Sequence, residues 1–144
     1  MKRLILLAAF AVGCSASCPR EEDDAPHAHT SGTTSADGTY YETNAWNQSF
    51  VDFPAGRRWA FRHGLGQLPR EITSYLGLKA NPLPVNGAGF VSESAGNQVL
   101  IEGVDAETIR VRNDTCEHFY LRLVATAATP IAENGGAGGE AGAE

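Results

Sequence analysis

The sequence has no apolar run long enough to cross a bilayer as a helix. Its longest run, Leu4 to Val12, contains nine apolar residues, whereas a spanning helix needs about 20. Lys2 and Arg3 precede this run and Gly13 follows it, which is the arrangement of a secretory signal peptide. We therefore expect residues 1–13 to direct export and to be removed.

An excess of basic residues is also missing. The chain has 11 Lys and Arg against 17 Asp and Glu, which gives a formal net charge of -6. Binding of nucleic acid relies on positive side chains that neutralise phosphates, so no nucleic-acid partner is expected. The acidic excess lies in residues 19–38 and after Pro130, whereas Thr39 to Pro130 has eight basic and nine acidic residues.

Several sequence signatures of catalysis are absent. The chain contains no Gly-x-Ser-x-Gly elbow, no phosphate-binding P-loop and no dinucleotide fingerprint, and these motifs place nucleophiles or cofactor phosphates in many enzymes. We therefore predict a non-catalytic protein without a cofactor, a metal or catalytic residues.

An enzyme or a metal-binding protein is the alternative. Cys116 and His118 are two residues apart, on the same side of an extended strand, and could act as a thiolate and its base. Carboxylates on turns are suited to calcium, although their spacing matches no calcium loop; they are Glu102, Asp105, Glu107 and Asp114. His27 and His29 form an incomplete ligand set for a metal.

The chain has only three cysteines, and the first follows the apolar run. Ala11-Val12-Gly13-Cys14 resembles the lipobox of bacterial lipoproteins, whose signal peptidase cuts before a cysteine that carries a diacylglyceryl thioether. The second candidate is Cys18, in Ser15-Ala16-Ser17-Cys18, and a soluble exported protein is the remaining alternative. The resemblance implies that Cys14 begins the mature chain and carries several acyl chains.

Acylation of Cys14 implies a bilayer as partner. One acyl chain holds a protein only marginally on a membrane, whereas two or more give stable anchoring. Ser15 follows Cys14, in place of the Asp associated with inner-membrane retention, so the chain resembles an outer-membrane lipoprotein. Export also permits a disulfide between Cys18 and Cys116, but we expect a buried or idle Cys116 instead.

Two segments lack a core-forming pattern. Pro19 to Gly38 has no large aliphatic or aromatic residue, so it cannot offset the entropy of ordering. We expect residues 14–38 to form a lipidated, acidic, disordered linker whose flexible part, about 20 residues long, spans about 25 Å. The tail, residues 131–144, is rich in Gly, Ala and Glu and is also expected to be disordered.

Between these segments, residues 39–130 alternate apolar and polar side chains over short stretches. Turn residues separate the stretches, and no helical apolar stripe is sustained. The predicted strands are Thr39 to Thr43, Trp46 to Phe53, Arg57 to His63, Glu71 to Leu78, Phe90 to Glu93, Gln98 to Glu102, Thr108 to Arg112 and His118 to Ala127. This pattern predicts an all-β fold, a small antiparallel β-sandwich of the jelly-roll or immunoglobulin-like kind.

Candidate ligand-binding residues lie on the predicted strands. Arg110, Arg112 and Arg122 are expected to point outward, where arginines could bind a carboxylate or a sugar acid. Tyr40 and Trp46 could supply faces on which sugars stack. The expected ligand is therefore a glycan or a protein of the envelope.

One turn carries a second resemblance. The stretch Arg62 to Ile72 contains His63-Gly64-Leu65-Gly66 and then Pro69, and it resembles a strand, His-x-Leu-Gly turn and Pro-led strand of some phage tail-fibre and lectin-like sandwich modules. This resemblance implies a binding module in preference to an enzyme. From the residues alone, Gly64 and Gly66 allow a sharp reversal and Pro69 presets the following strand.

Overall fold

The computed structural model describes Cys18 and residues 25–82 and 90–128. The predictions for the signal peptide, Cys14, residues 19–24 and the tail lie outside these residues. The strands are β1 His27–His29, β2 Thr33–Thr34, β3 Tyr40–Glu42, β4 Val51–Phe53, β5 Arg58–Arg62, β6 Glu71–Gly77, β7 Val91–Glu93, β8 Val99–Val104, β9 Thr108–Asn113 and β10 Phe119–Thr126. No helix within the described part of the chain is long and apolar enough to span a membrane.

These strands form two sheets, which confirms the predicted all-β sandwich. The four-stranded sheet has the order β1-β5-β9-β8. The six-stranded sheet has the order β2-β3-β10-β6-β7, and β4 also pairs with β10. Every pair is antiparallel except β1 with β5, which is parallel.

The core lies between the sheets and follows the period-2 pattern of the sequence. On β10, Leu121, Leu123 and Ala125 are buried, as their alternation predicts. Each of the eight predicted strands is present, although β4 is shorter than expected because residues 45–48 form a turn closed by the Gln48 amide and the Ala45 carbonyl. The buried core residues are Tyr41, Phe53, Phe61, Leu65, Leu76, Val99, Ile109, Val111, Leu121, Leu123 and Ala125.

The prediction of a disordered linker up to Gly38 is wrong for residues 27–29 and 33–34, which are strands. His27 and His29 lie on one side of β1 and contact aromatic rings of β5. The His27 and Trp59 ring centroids are 5.6 Å apart, and those of His29 and Phe61 are 5.0 Å apart. The segment has no large aliphatic side chain to pack against the sheet, and its two imidazole rings make these packing contacts instead.

The chain then crosses to the six-stranded sheet, where Gly32 lies against the buried ring of Tyr41. A Cβ atom added to Gly32 would lie 2.6 Å from Cζ of Tyr41, closer than any side chain tolerates. Burial raises the pKa of Tyr41, and its hydroxyl has no hydrogen-bond partner among the described residues. The position is thus restricted to glycine by the close approach of this ring.

Cys18 and Cys116 form a disulfide, with their Cα atoms 4.9 Å apart. This separation lies within the usual range for disulfides. The expectation of a buried or idle Cys116 is therefore wrong. The bond joins the start of the described chain to the turn between β9 and β10.

The reversal after β5 is organised by the side chain of His63, which is fully buried. Its Nδ1 accepts a hydrogen bond from the Leu65 amide at 3.2 Å. Because Nδ1 accepts, the proton lies on Nε2, which donates to the Asp105 carbonyl at 3.1 Å. Gly64 and Gly66 have φ angles of 63° and 68°, so both glycines provide the left-handed backbone that the turn requires.

Candidate functional site

Three of the five predicted ligand-binding residues come together on the outer face of the six-stranded sheet. Arg122 is on β10, Tyr40 is on β3, and Trp46 is on the turn between β3 and β4. Arg122 occupies an outward position because its neighbours Leu121 and Leu123 point into the core. The other two residues, Arg110 and Arg112, lie on β9 in the opposite sheet.

Arg122 is almost fully covered, with 2% of its surface exposed. Its Nε donates to the Asn44 carbonyl at 2.9 Å, and its Nη2 donates to the Glu42 carboxylate. The Tyr40 hydroxyl donates to the same carboxylate at 3.0 Å. Burial and the hydrogen bond to Glu42 raise the pKa of Tyr40. The cation is thus held by groups of its own chain.

The Trp46 ring covers this guanidinium. Cζ of Arg122 lies 4.2 Å from the ring centroid, well within the range of cation–π contacts. Tyr75 packs edge-on against Trp46 with ring centroids 4.9 Å apart, and Phe50 contacts it at 5.9 Å. Trp46 nevertheless keeps 39% of its surface exposed. We call Tyr40, Trp46, Tyr75 and Arg122 the aromatic platform.

Tyr75 was not among the predicted site residues, although it is part of the platform. The sequence places it on the outward side of β6, but nothing in the sequence states which outward residue on another strand it faces. In the structure Tyr75 pairs in register with Arg122. The alternation shows that Tyr75 and Arg122 both point outward. That they are neighbours follows only from the pairing of β6 with β10, which the sequence does not give.

The platform can stack on a flat apolar face and bond to hydroxyl groups. Trp46 is partly exposed, and Tyr40 and Glu42, which both contact the same guanidinium, provide a hydroxyl and a carboxylate. The sequence suggested that Arg122 could bind the carboxylate of a ligand. In the structure its Nη2 already donates to the Glu42 carboxylate, so this position is taken by a residue of the chain itself. Arg122 instead holds the Trp46 ring in place through the contact between its guanidinium and the ring.

Arg110 and Arg112 are engaged by acidic residues of their own sheet. Arg112 lies 3.1 Å from Asp114 and 3.6 Å from Glu102. Arg110 is 3.8 Å from Asp105. The structure does not bring these two arginines to the platform, so the predicted five-residue set separates into two groups on opposite faces of the sandwich.

The thiol version of the alternative function is contradicted by the structure. The Cys116 sulfur is bonded to Cys18, so it is not a thiolate that His118 could generate. Nε2 of His118 lies 2.6 Å from Oδ1 of Asp52, and its ring stacks on Tyr120 with centroids 5.1 Å apart. His118 therefore belongs to a surface contact with β4 and β10.

The turn carboxylates do not converge either. Asp105 accepts hydrogen bonds from the Glu107 and Thr108 amides and from the Thr108 hydroxyl, and these bonds lower its pKa. Glu102 and Asp114 pair with arginines. Within the described residues, no group of three or more His, Cys, Asp or Glu side chains is placed to hold a metal ion.

A concave feature that the sequence did not indicate is an apolar pocket of about 320 Å³. It opens beside the start of β7 and the end of β6. The lining residues are Leu76, Gly77, Leu78, Phe90, Val91, Ser92, Gln98 and Phe119.

Comparison of the chain with protein-family models, with curated proteins and with solved structures gives no match.

Proposed function

We propose that this protein is a lipid-anchored, non-catalytic binding module of the bacterial cell envelope, and that its aromatic platform binds a glycan. The lipid is attached to Cys14, and Ser15 after it favours the outer membrane. The observation that carries the binding role is the Trp46 ring, which lies on the buried guanidinium of Arg122 with part of its surface open to solvent.

The disulfide supports the assignment of the lipid to Cys14. A sulfur in a disulfide cannot also carry a thioether, so acylation at Cys18 is incompatible with the bond between Cys18 and Cys116. The chain has three cysteines, and Cys14 is the one that remains. It is also the cysteine of the lipobox-like sequence. Disulfides form in oxidising compartments, which agrees with export.

The rigidity of the platform supports a glycan ligand. A pyranose presents a face of C–H groups and a rim of hydroxyls, which suits an aromatic ring flanked by polar groups. Trp46 is fixed by Arg122, Tyr75 and Phe50, so little conformational freedom is lost when a ligand binds. Tyr40 and Glu42 are placed to exchange hydrogen bonds with sugar hydroxyls.

A glycan array tests the binding role. We expect the mature domain to bind a restricted set of envelope or surface saccharides and Trp46→Ala to lose that binding. Leu68→Ala is the matched control, because Leu68 is also an exposed apolar residue but lies outside the platform. A blank array for the unaltered protein, or equal binding by both variants, would contradict the glycan proposal. An envelope protein captured through Trp46 would replace the glycan as ligand.

Detergent-phase partitioning tests the anchor. We expect the mature protein to enter the detergent phase, and residues 15–144 exported behind an ordinary cleavable signal peptide to remain in the aqueous phase. Cys18→Ser is the matched control, since it removes a neighbouring cysteine that is bonded to Cys116 and carries no lipid, and this variant should still partition with detergent. Aqueous partitioning of the unaltered mature protein would contradict the anchor.

A further inference from the structure

The apolar pocket lies at the same end of the sandwich as the disulfide. Cys116 is three residues before Phe119, the first residue of β10. Tyr120 pairs with Gly77, and Gly77 pairs with Val91, so the end of β6 and the start of β7 are level with the start of β10. Neighbouring strands are about 4.8 Å apart, which places β7 about 10 Å from β10. We call this the Cys116 end.

Two large apolar side chains project from the Cys116 end beside the pocket. Phe90 is 82% exposed and Leu78 is 64% exposed, and both line the pocket. Lys79 follows Leu78 and is exposed as well. Single exposed apolar residues are common, but a contiguous apolar patch with a pocket marks a contact surface. A lysine at its rim can reach lipid phosphates while its stem stays in the apolar layer.

The disulfide determines how far this end can lie from a lipid on Cys14. Four peptide steps separate Cys14 from Cys18, so the lipidated residue lies within about 14 Å of Cys18 even in a fully extended chain. Measured instead to the start of β1 at His27, thirteen peptide steps separate Cys14 from the sandwich, and an extended chain of that length reaches about 45 Å. The bond therefore shortens the tether about threefold.

The direction of β1 agrees with this attachment. β1 is parallel to β5, and β5 starts at Arg58, which pairs with Arg112 next to the end of β9. The chain therefore enters β1 from the Cys116 end.

We propose that the Cys116 end docks on the bilayer surface, with Phe90 and Leu78 inserted at the boundary between headgroups and acyl chains. This inference rests on the lipid anchor at Cys14. The short tether holds the apolar patch at the headgroups, where its burial is favourable. The strands then run away from the membrane, and the aromatic platform faces sideways, accessible to ligands beside the anchored protein.

Quenching of tryptophan fluorescence by brominated lipids tests this orientation. The mature, lipidated full chain would be placed in phosphatidylcholine vesicles, in which some acyl chains carry bromine, as Phe90→Trp and as Leu68→Trp. Leu68 is the matched control because it is 62% exposed and lies at the opposite end, near the pairing of Glu71 with Thr126. Both variants keep Trp46 and Trp59 as a common background, and neither site is in the core.

We expect the emission added at position 90 to fall by more than about half with brominated acyl chains, and the emission added at position 68 to be unaffected. Equal quenching at both positions, or none at either, would overturn the docking. Shielding of position 90 from acrylamide without quenching by bromine would also overturn it, because a second copy or a protein partner would then cover this end. Failure of the protein to attach to vesicles would instead refute the anchor.

Discussion

Cζ of Arg122 lies 4.2 Å from the centroid of the Trp46 ring, on the outer face of the six-stranded sheet. The same guanidinium donates to the Asn44 carbonyl and to the Glu42 carboxylate. One buried cation therefore fixes both the ring that we propose for ligand binding and the turn that carries it. We therefore expect substitution of Arg122 to lower both the stability of the fold and the affinity for the ligand.

Arg122→Ala should destabilise the fold by about 3–5 kcal/mol, because it leaves the Glu42 carboxylate without its partner in a largely covered site. Arg122→Lys should recover only part of this loss, because an ammonium cannot reproduce the forked contacts of a guanidinium. Urea unfolding measures both. Arg110→Ala is the control: its ion pair with Asp105 is long and exposed, so its change should stay within about 0.5 kcal/mol. Equal effects at positions 110 and 122 would contradict the assignment.

Reduction of the disulfide should lower the free energy of unfolding by about 2–5 kcal/mol, because Cys18 and Cys116 are 98 residues apart and their bond restricts the unfolded chain strongly. The double variant Cys18→Ser, Cys116→Ser should show the same loss without reductant. Thermal unfolding with and without dithiothreitol measures it. Cys14→Ser should keep the full sensitivity to reductant; if it loses that sensitivity, the pairing of Cys18 with Cys116 is wrong.

His63→Ala should cost about 3 kcal/mol, since it removes a fully buried ring and leaves the Leu65 amide and the Asp105 carbonyl without their partner. His118→Ala is the comparison. Its pair with Asp52 is half exposed, and surface pairs contribute less than about 1 kcal/mol. Chemical denaturation of the two variants gives the difference directly, and a larger loss at position 118 would refute the structural role of His63.

Acidification should loosen β1. Burial lowers the pKa of His29 from its ordinary value of 6.5, and this effect exceeds that of the hydrogen bond to the Thr43 backbone, which raises it. The unfolded chain therefore takes up this proton at a higher pH than the folded chain does. The stability that neutral His29 contributes is complete above pH 6.5 and is lost as the pH falls through the lowered pKa.

Hydrogen exchange of the β1 amides between about pH 7.5 and pH 5, corrected for intrinsic exchange rates, measures this loss. The variant His29→Gln, which cannot take up the proton, should show a flatter dependence. Identical pH profiles of β1 in the two proteins would contradict the role of His29.

The sandwich could be predicted because its strands carry an alternating pattern. On β10, Leu121 and Leu123 alternate with Tyr120 and Arg122, and burial follows that order. β1 could not be predicted in this way. Its sequence, His-Ala-His, has no aliphatic side chain, and its pairing depends on the rings of Trp59 and Phe61, which are distant in sequence.

The site was predicted in part for a related reason. Composition and alternation identify Tyr40, Trp46 and Arg122 as outward aromatic and cationic residues, but they do not state which sheet a strand joins. The sheet order places Arg110 and Arg112 on the opposite face. The sequence named Cys18 and Cys116 as a permitted disulfide but could not decide for it, since bringing the two residues together depends on the whole path of the chain.

The intact mass of the mature protein, measured without reduction and followed by peptide mapping, tests the central claim most directly. The account predicts a chain that begins at Cys14, with acyl chains on that residue and a peptide in which Cys18 is linked to Cys116. A mature chain without acyl groups on Cys14, or one with a lipid on Cys18 and a free Cys116 thiol, would contradict it.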